Sequence, residues 1–545
     1  MERKATLIQQ KGHPIIKIEF PFNFDDLGLV KTLSGRRFHG DQRPKYWSCP
    51  LILESLESLL SWNFQIDKNL QQFLNKSKTQ IENVKEIEIP GLKLSLYAFQ
   101  KKDISFIETK NGRVLIGNEM GLGKTIEALA YLQLHPEKRP AVIVTPASLK
   151  LNWEKEAKIW MSPEPSIQIL SGTKPYPLNG NEVRNNDLII INYDILFPWL
   201  ETLKKIQPQA LIFDEIHYIK NNQAKRTKAV KDLGKNIPHI IGLSGTPIIN
   251  RPIEVYNAVK LIDNTILPDF WSYAHKYCGA KHNGFGWDFS GATNTKELHQ
   301  KLLSIMIRRK KEDVLTDLPE KIHSYLPMEL DNKKEYVKAE NNFIQWIREN
   351  KGESAAIRAS NAEILTKIEE LKQLTVKGKM KQAIDWIHNF LEIEEKLVIF
   401  ATHKSTIEKL MLEFGDLAVK IDGSVPINQR EEAIKQFQTD NKTKLFIGNI
   451  KAAGVGITLT ASSHVAFLEL PWTPGELMQA EDRCHRIGQK NNVTIYYILA
   501  VNTIEEEIAN MLDKKRKVLD SILDGKITEE ESLLTSLINK YQERR

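Results

Sequence analysis

The sequence predicts an α/β protein of two parallel-sheet lobes, with a mainly helical insertion between them and a small α+β module ahead of them. Three observations lead there. From Leu92 to about residue 262, short apolar runs alternate with helical periodicity, the pattern of strands joined by crossover helices. Between about Asp263 and Thr375 that rhythm stops, and an aromatic, Gly-rich patch gives way to long charged helical patterns. It resumes with Leu397-Val398-Ile399-Phe400 and continues through Leu445-Phe446-Ile447-Gly448, Val465-Ala466-Phe467-Leu468 and Ile495-Tyr496-Tyr497-Ile498-Leu499. The expected segments are 1–80, 90–262, 263–375, 376–515 and 516–545, the last forming amphipathic helices that pack back on the lobes.

Composition narrows the class. A chain of 545 residues has length for three or four cores. Cys49, Cys278 and Cys484 are far apart and share no metal-ligand spacing with histidines, which argues against a zinc module or a disulfide framework. Met1-Glu2-Arg3-Lys4 leads into no apolar leader, and no apolar run is long enough to span a bilayer, so the expectation is a soluble intracellular protein with no membrane partner. A net charge of +7 suits a polyanion but is small against 76 basic residues, so charge alone decides nothing.

In the first segment, Ile15-Ile16-Lys17-Ile18-Glu19-Phe20 reads as a strand. The stretch from Arg36-Arg37-Phe38-His39 to Lys45-Tyr46-Trp47 interleaves cations with aromatics. Such a pattern serves nucleic-acid contact, or equally a small core with solvated arginines. Lys68 to Pro90 is lysine-rich and reads as a connection.

In the second segment, Val114-Leu115-Ile116 is followed by Asn118-Glu119-Met120-Gly121-Leu122-Gly123-Lys124-Thr125 and then by a helical pattern from Ile126 to Leu132. Strand, Gly-rich turn and helix is the context of a phosphate-binding loop. Gly121 and Gly123 let backbone N–H groups converge on a triphosphate, Lys124 reaches its phosphates, and Thr125 can ligate Mg²⁺. The strict pattern has Gly where this chain has Asn118, with Gly117 one place earlier. Val142-Ile143-Val144, Leu188-Ile189-Ile190-Ile191, Leu211-Ile212-Phe213 and Ile240-Ile241-Gly242-Leu243 are the strands expected beside it. The third of these ends in Asp214-Glu215-Ile216-His217, where Asp214 can hold Mg²⁺ and Glu215 can orient the attacking water.

In the fourth segment no second phosphate loop occurs, so one nucleotide site shared by both lobes is the economical reading. The run Ala453-Gly454-Val455-Gly456-Ile457-Thr458-Leu459-Thr460 has glycines that allow close approach to a phosphate backbone. In Gln479-Ala480-Glu481-Asp482-Arg483-Cys484-His485-Arg486-Ile487-Gly488-Gln489, Arg483 and Arg486 are expected on one helix face, aimed at the cleft as arginine fingers. Arg308-Arg309-Lys310-Lys311 reads as a solvated face or a DNA contact.

Together, the phosphate loop, Asp214-Glu215-Ile216-His217, Leu243-Ser244-Gly245-Thr246-Pro247 and the Gln479 to Gln489 block resemble the SWI/SNF type of superfamily 2 helicase-like ATPases. The run from Lys17 to Leu60, together with Phe285-Gly286-Trp287-Asp288, Ser290-Gly291-Ala292 and Glu297-Leu298-His299, looks like the HARP-containing annealing-helicase branch. The resemblance implies two RecA-like lobes and a HARP-like module that recognises DNA structure. It also implies a DNA-dependent ATPase using ATP and Mg²⁺. Gln100 would face adenine, Gln479 would join the nucleotide site, and Ser244 and Thr246 would couple it to DNA. Thr145, Ser148, Asn192-Tyr193, His403, Gly454, Thr458 and Trp472 fall where the family meets DNA, although helix capping for the first four and core packing for Trp472 fit as well.

The implied partner is duplex, forked or junction DNA, with single-strand-binding or replication proteins beside it. The chain would act as a monomer in bacterial or viral cytoplasm, or in a eukaryotic nucleus. The activity it implies is translocation that remodels forks and re-anneals strands. Displacement of nucleosomes or RNA polymerase is the alternative within enzymes, and a nucleotide-switched DNA-binding scaffold the alternative outside them.

Overall fold

The computed structural model describes residues 3–10, 13–31, 33, 36–41, 44–51, 53–73, 87–176, 187–282, 286–315, 317–349, 356–393, 396–454 and 456–524. The chain divides into two compact units, Met1–Glu86 and Ile87–Arg545.

The first unit is α+β. Its strands are β1 (Lys4–Gln10), β2 (His13–Glu19), β3 (Arg37–His39), β4 (Tyr46–Pro50) and β5 (Gln65–Ile66), in the order β3-β4-β2-β1-β5. Period-2 alternation puts Ile16 and Ile18 inside with Val30, Leu56, Leu59 and Phe64. The helix Phe24–Val30 starts where the Asn23 side chain accepts from the Asp26 N–H, and buried Asp26 pairs with Arg3 at 2.9 Å. The cationic, aromatic stretch divides between core and solvent. Trp47 packs on the core, whereas Phe38, 50% exposed, lies against it at 5.1 Å, with Arg36 and Arg37 exposed alongside.

The second unit holds both lobes. The first sheet is built from β6 (Arg113–Ile116), β7 (Ala141–Thr145), β8 (Ile167–Ile169), β9 (Leu188–Asn192), β10 (Ala210–Asp214) and β11 (His239–Leu243). An antiparallel pair follows, β12 (Lys281–His282) and β13 (Trp287–Asp288), and then β14 (Met306–Ile307) returns to the sheet. The order is β14-β6-β11-β10-β7-β9-β8, parallel throughout. Alternate residues of one strand serve two cores: Val142 and Val144 face Trp199 and Phe213, while Ile143 faces Leu129 and Trp153. Burial on both faces is why these strands read as unbroken apolar runs.

The second sheet comprises β15 (Lys321–Met328), β16 (Leu397–Ala401), β17 (Ala418–Ile421), β18 (Leu445–Asn449), β19 (His464–Phe467) and β20 (Val493–Ala500). Its order is β15-β20-β19-β16-β18-β17, also parallel.

The insertion differs from the expectation in one respect. It is mainly helical, including Lys333–Glu349 and Ala356–Ile393, yet it also supplies one strand to each sheet, β14 and β15. Strand β15 occupies a sheet edge, where Pro327 and the exposed Ile322, His323 and Tyr325 are tolerated.

The basic run Arg308 to Lys311 is neither a solvated face nor a free cationic surface. Arg308 pairs with Asp524 at 2.6 Å, Arg309 with Asp103 at 2.5 Å, Lys310 with Asp524 at 3.5 Å and Lys311 with Asp482 at 3.0 Å. Four consecutive cations thereby tie the interlobe chain to the first lobe, the second lobe and the final described helix. That helix, Ile504–Asp524, buries Ile508 and Leu512 in the second lobe's core and Leu519 and Ile522 in the first lobe's. The helices expected after it, at 525–545, lie outside the described residues, as does Phe285. Among the described residues no helix is long and apolar enough to cross a membrane.

Candidate nucleotide site between the lobes

The loop after β6 turns through Gly121 (φ +87°) and Gly123 (φ +85°), and Gly123 caps the helix Lys124–Leu134. Both lie in the left-handed region, where glycine carries no steric penalty. A Cβ on Gly123 would also stand 2.4 Å from Gln100 Nε2. Lys124 Nζ donates to the carbonyls of Asn118 (2.8 Å) and Glu119 (3.1 Å), and burial pulls its pKa down.

Three residues expected at the nucleotide are otherwise engaged. Asn118 is buried beneath the loop and donates to Asp103 at 2.6 Å and Glu127 at 3.2 Å. Burial raises the pKa of both acids, that of Glu127 strongly because the Asp103 carboxylate beside it adds to the rise, whereas Arg309 opposes the rise at Asp103. Glu119 donates its backbone N–H to Arg309 O at 2.9 Å and accepts from the Lys311 N–H at 2.8 Å, so its own N–H is taken by the interlobe chain. Gln100 lines the cavity, but its amide donates to Leu122 O and accepts from the Tyr97 N–H, each at 3.0 Å. Met120 and Leu122 are buried, leaving Gly121, Gly123, Lys124 and Thr125 as the loop's cavity lining beside Met120.

The carboxyl end of β10 delivers the two acids. Asp214 Oδ2 accepts from Trp153 Nε1 (2.8 Å) and Thr145 Oγ1 (3.1 Å). Burial and the adjacent Glu215 charge push its pKa up to about 6, and a carboxyl held so is one a bound cation would re-ionise. Glu215 sits in the left-handed region at φ +51°, a conformation that concentrates at functional sites. Its Oε2 accepts from Ser244 Oγ and lies 3.2 Å from His217 Nδ1. Burial opposes its charge, yet the His217 hydrogen bond and the charges of Lys124 and Arg483 hold it below the usual carboxylate range. Tyr193, expected at a DNA backbone, is buried and donates its hydroxyl to Asp214 O at 2.8 Å.

The second lobe closes the site. Gln479 Nε2 donates to Thr246 Oγ1 at 2.8 Å, linking the lobes directly. The helix Pro474–Glu481 ends before the two arginines, so Arg483 and Arg486 stand on the turn that follows and not on a helix face. Both still line the cavity, of about 650 Å³, together with Asp214 and Glu215. That is within the range of a small-molecule pocket. Arg483, 1% exposed, donates to Gln479 O (2.7 Å), Ile457 O (3.3 Å) and Met120 Sδ (3.1 Å). Arg486 donates to Asp482 O (3.1 Å) and Thr458 Oγ1 (3.0 Å), and its Cγ would be 3.0 Å from a Cβ on Gly121. Asp482 is gripped by Lys311 and Lys321 (2.7 Å), which hold its carboxyl far below the usual range against the effect of burial.

The residues expected at DNA do not converge. Thr145 is buried under Asp214, Thr458 lies in the nucleotide cavity, and Gly454 is buried with its N–H on Ile450 O. Ser148 is half-buried, and half-buried Trp472 has Lys372 Nζ 4.6 Å above its ring. His403 is held between Glu369 and Glu469, each at 2.6 Å, which raises its pKa to about 9. A histidine whose pKa rises on folding contributes fully below its unfolded value of 6.5, and that contribution fades as the pH climbs through 9. His403→Gln is therefore expected to destabilise the protein by about 1–2 kcal/mol at low pH, after allowance for partial exposure, and by almost nothing above the raised value. Thermal melts of both proteins across that window check it, and a gap independent of pH refutes the clamp.

Sequence reasoning missed Trp153, Thr145 as a support of Asp214, and the Arg309 and Lys311 contacts to Glu119. Nothing local marks them: Trp153 reads as one more apolar residue of an amphipathic helix.

Residues 57–380 match the SNF2-related domain, and residues 378–488 match the helicase conserved C-terminal domain. The SWI/SNF-related matrix-associated actin-dependent regulator of chromatin subfamily A-like protein 1 homolog of Caenorhabditis elegans is 32% identical, over 93% of this chain and 74% of that protein. The DNA annealing helicase and endonuclease ZRANB3 of Homo sapiens is 33% identical, over 85% of this chain and 43% of its own length. The corresponding subfamily A-like protein 1 of Xenopus tropicalis is 31% identical, over 92% of this chain and 54% of its own length. The chain thus spans about half or less of the two vertebrate relatives.

Proposed function

Because this chain belongs to the SWI/SNF-type superfamily 2 DNA-dependent ATPases, we propose that it is an ATP-driven translocase on double-stranded DNA. It remodels forked or branched DNA and re-anneals exposed single strands. What carries the reading is one cleft in which Arg483 and Arg486 of the second lobe stand against Met120 and Gly121 of the first.

The residues divide the work. Lys124 and the loop N–H groups of Gly121 and Gly123 bind the triphosphate, and Glu215, held by Ser244 and His217, orients the attacking water and takes its proton. Mg²⁺, held by the Thr125 hydroxyl and the Asp214 carboxylate, would supply charge neutralisation across the phosphates. Arg483 and Arg486 place positive charge where the transferring phosphoryl group becomes more negative. The path from Glu215 through Ser244 to the Thr246 N–H, and from Thr246 Oγ1 to Gln479, joins the cleavage site to the opposite lobe. Opening and closing of the lobes along that path moves the protein along one strand.

Steady-state ATPase measured without nucleic acid, and with single strands, blunt duplex, forked duplex and RNA at one salt concentration, tests this. Forked DNA is expected to stimulate most. Equal stimulation by any duplex moves the reading to protein displacement, and no response to DNA overturns it. The Met1–Glu86 unit is assigned to recognition of DNA structure, so its deletion is expected to remove fork preference and spare basal turnover. Survival of the preference refutes that assignment.

A further inference from the structure

The helix Phe270–Tyr277 has two unlike faces. Tyr273 and Tyr277 are buried in the first lobe's core, where Phe270 and Phe289 pack around them. On the other face Trp271 is 47% exposed, and Trp287 of β13, 43% exposed, meets it at 4.9 Å. His275 and His282 meet Trp287 at 5.2 and 5.6 Å, both near perpendicular. Trp271 rests on Phe289 at 6.0 Å and Phe270 at 5.6 Å, so the exposed rings are seated on a packed aromatic layer. Two large rings meeting at 60° at the surface, neither of them lining the nucleotide cavity, mark a binding surface.

The polar groups around them are mixed in charge. Asp269 caps the helix, accepting from the Trp271 and Ser272 N–H groups, and Asp288 accepts from Ser290, so both carboxylates already have donors. Lys281 and both histidines are exposed at the rim, and Lys276 stands there paired with Glu297 at 2.6 Å. Exposed indole rings with Lys281 and the two histidines beside them match the π-faces of unpaired nucleobases, which stack on aromatic side chains. A duplex buries its base faces in its own stack and cannot present them.

We propose that Trp271 and Trp287 form a stacking platform for single-stranded nucleic acid, built on the first motor lobe. The inference rests on the reading of this chain as a DNA-acting motor and deepens it: the platform holds the unpaired strand at a fork while the lobes engage the duplex.

The test uses the full chain and a single-stranded oligothymidylate. Trp271→Ala/Trp287→Ala is expected to weaken its binding by about 10-fold or more, since stacking is worth roughly 5- to 150-fold per base. Trp271→Phe/Trp287→Phe is expected to keep most of the affinity, and ATPase stimulated by blunt duplex is expected to stay unchanged in both. In parallel, a bromodeoxyuridine-substituted oligonucleotide is crosslinked to the wild-type protein, with the adduct expected in the peptides bearing Trp271 or Trp287. Unchanged affinity in the alanine variant, or crosslinks confined to other peptides, overturns the platform. If the alanine variant loses duplex-stimulated turnover through misfolding, the wild-type crosslink decides alone. A protein whose ATPase ignores all DNA refutes the motor reading instead, and the crosslink remains a separate result.

Discussion

Glu215→Gln is expected to lower DNA-stimulated turnover by about 10²- to 10⁴-fold, the range for losing a general base, with nucleotide binding nearly unchanged. The substitution keeps the side chain's size and an oxygen for the Ser244 hydroxyl and His217, so the loop at φ +51° has no reason to move. What disappears is a carboxylate held ionised by His217, Lys124 and Arg483 in spite of its burial. Lys124→Ala is the instructive contrast: it removes a cation from the phosphates themselves, so affinity and turnover should fall together. Saturating-ATP kinetics with saturating duplex, read beside equilibrium nucleotide binding, separate the two patterns. Wild-type turnover in Glu215→Gln would sink the assignment of the cleavage site.

Much of the fold was legible for one physical reason. Strands buried on both faces must be apolar at every position, so β7, β9, β10 and β11 announce themselves as runs, as do β16 and β18. Strand β15 escaped because a sheet edge tolerates Lys321, His323, Ser324 and Pro327, a composition that also suits a linker. The residues that the structure gathers around one cavity were legible where the pattern is local: a Gly-rich turn, an Asp-Glu pair, two arginines three residues apart. The partners that tune those groups come from elsewhere in the chain. Arg309 O reaches the Glu119 N–H, Thr145 and Trp153 reach Asp214, and Thr246 meets Gln479, and none of these pairs leaves a trace in spacing. The same limit applies to Thr145 and His403, which the resemblance places at DNA. Their residue types suit phosphate, while their actual neighbours are carboxylates.

Arg483→Ala and Arg486→Ala are each expected to lower turnover by about 10³- to 10⁵-fold, the range for an arginine finger, with nucleotide still bound by the first lobe. The two should differ in how they tolerate lysine. Arg483 spends Nε, Nη1 and Nη2 on three separate acceptors, Gln479 O, Ile457 O and Met120 Sδ, a fork that a single ammonium cannot reproduce. Arg483→Lys should therefore be almost as inactive as Arg483→Ala. Arg486 makes two simpler contacts, to Asp482 O and Thr458 Oγ1, so Arg486→Lys should recover part of the loss. Because both charges act on one developing phosphoryl group, the double alanine variant should be little worse than the poorer single variant. Single-turnover ATP cleavage, measured with each variant on saturating duplex, reads the chemical step directly. A single alanine variant with normal cleavage removes that arginine from the reaction and leaves it as a clamp that holds the second lobe on the loop at Met120 and Gly121.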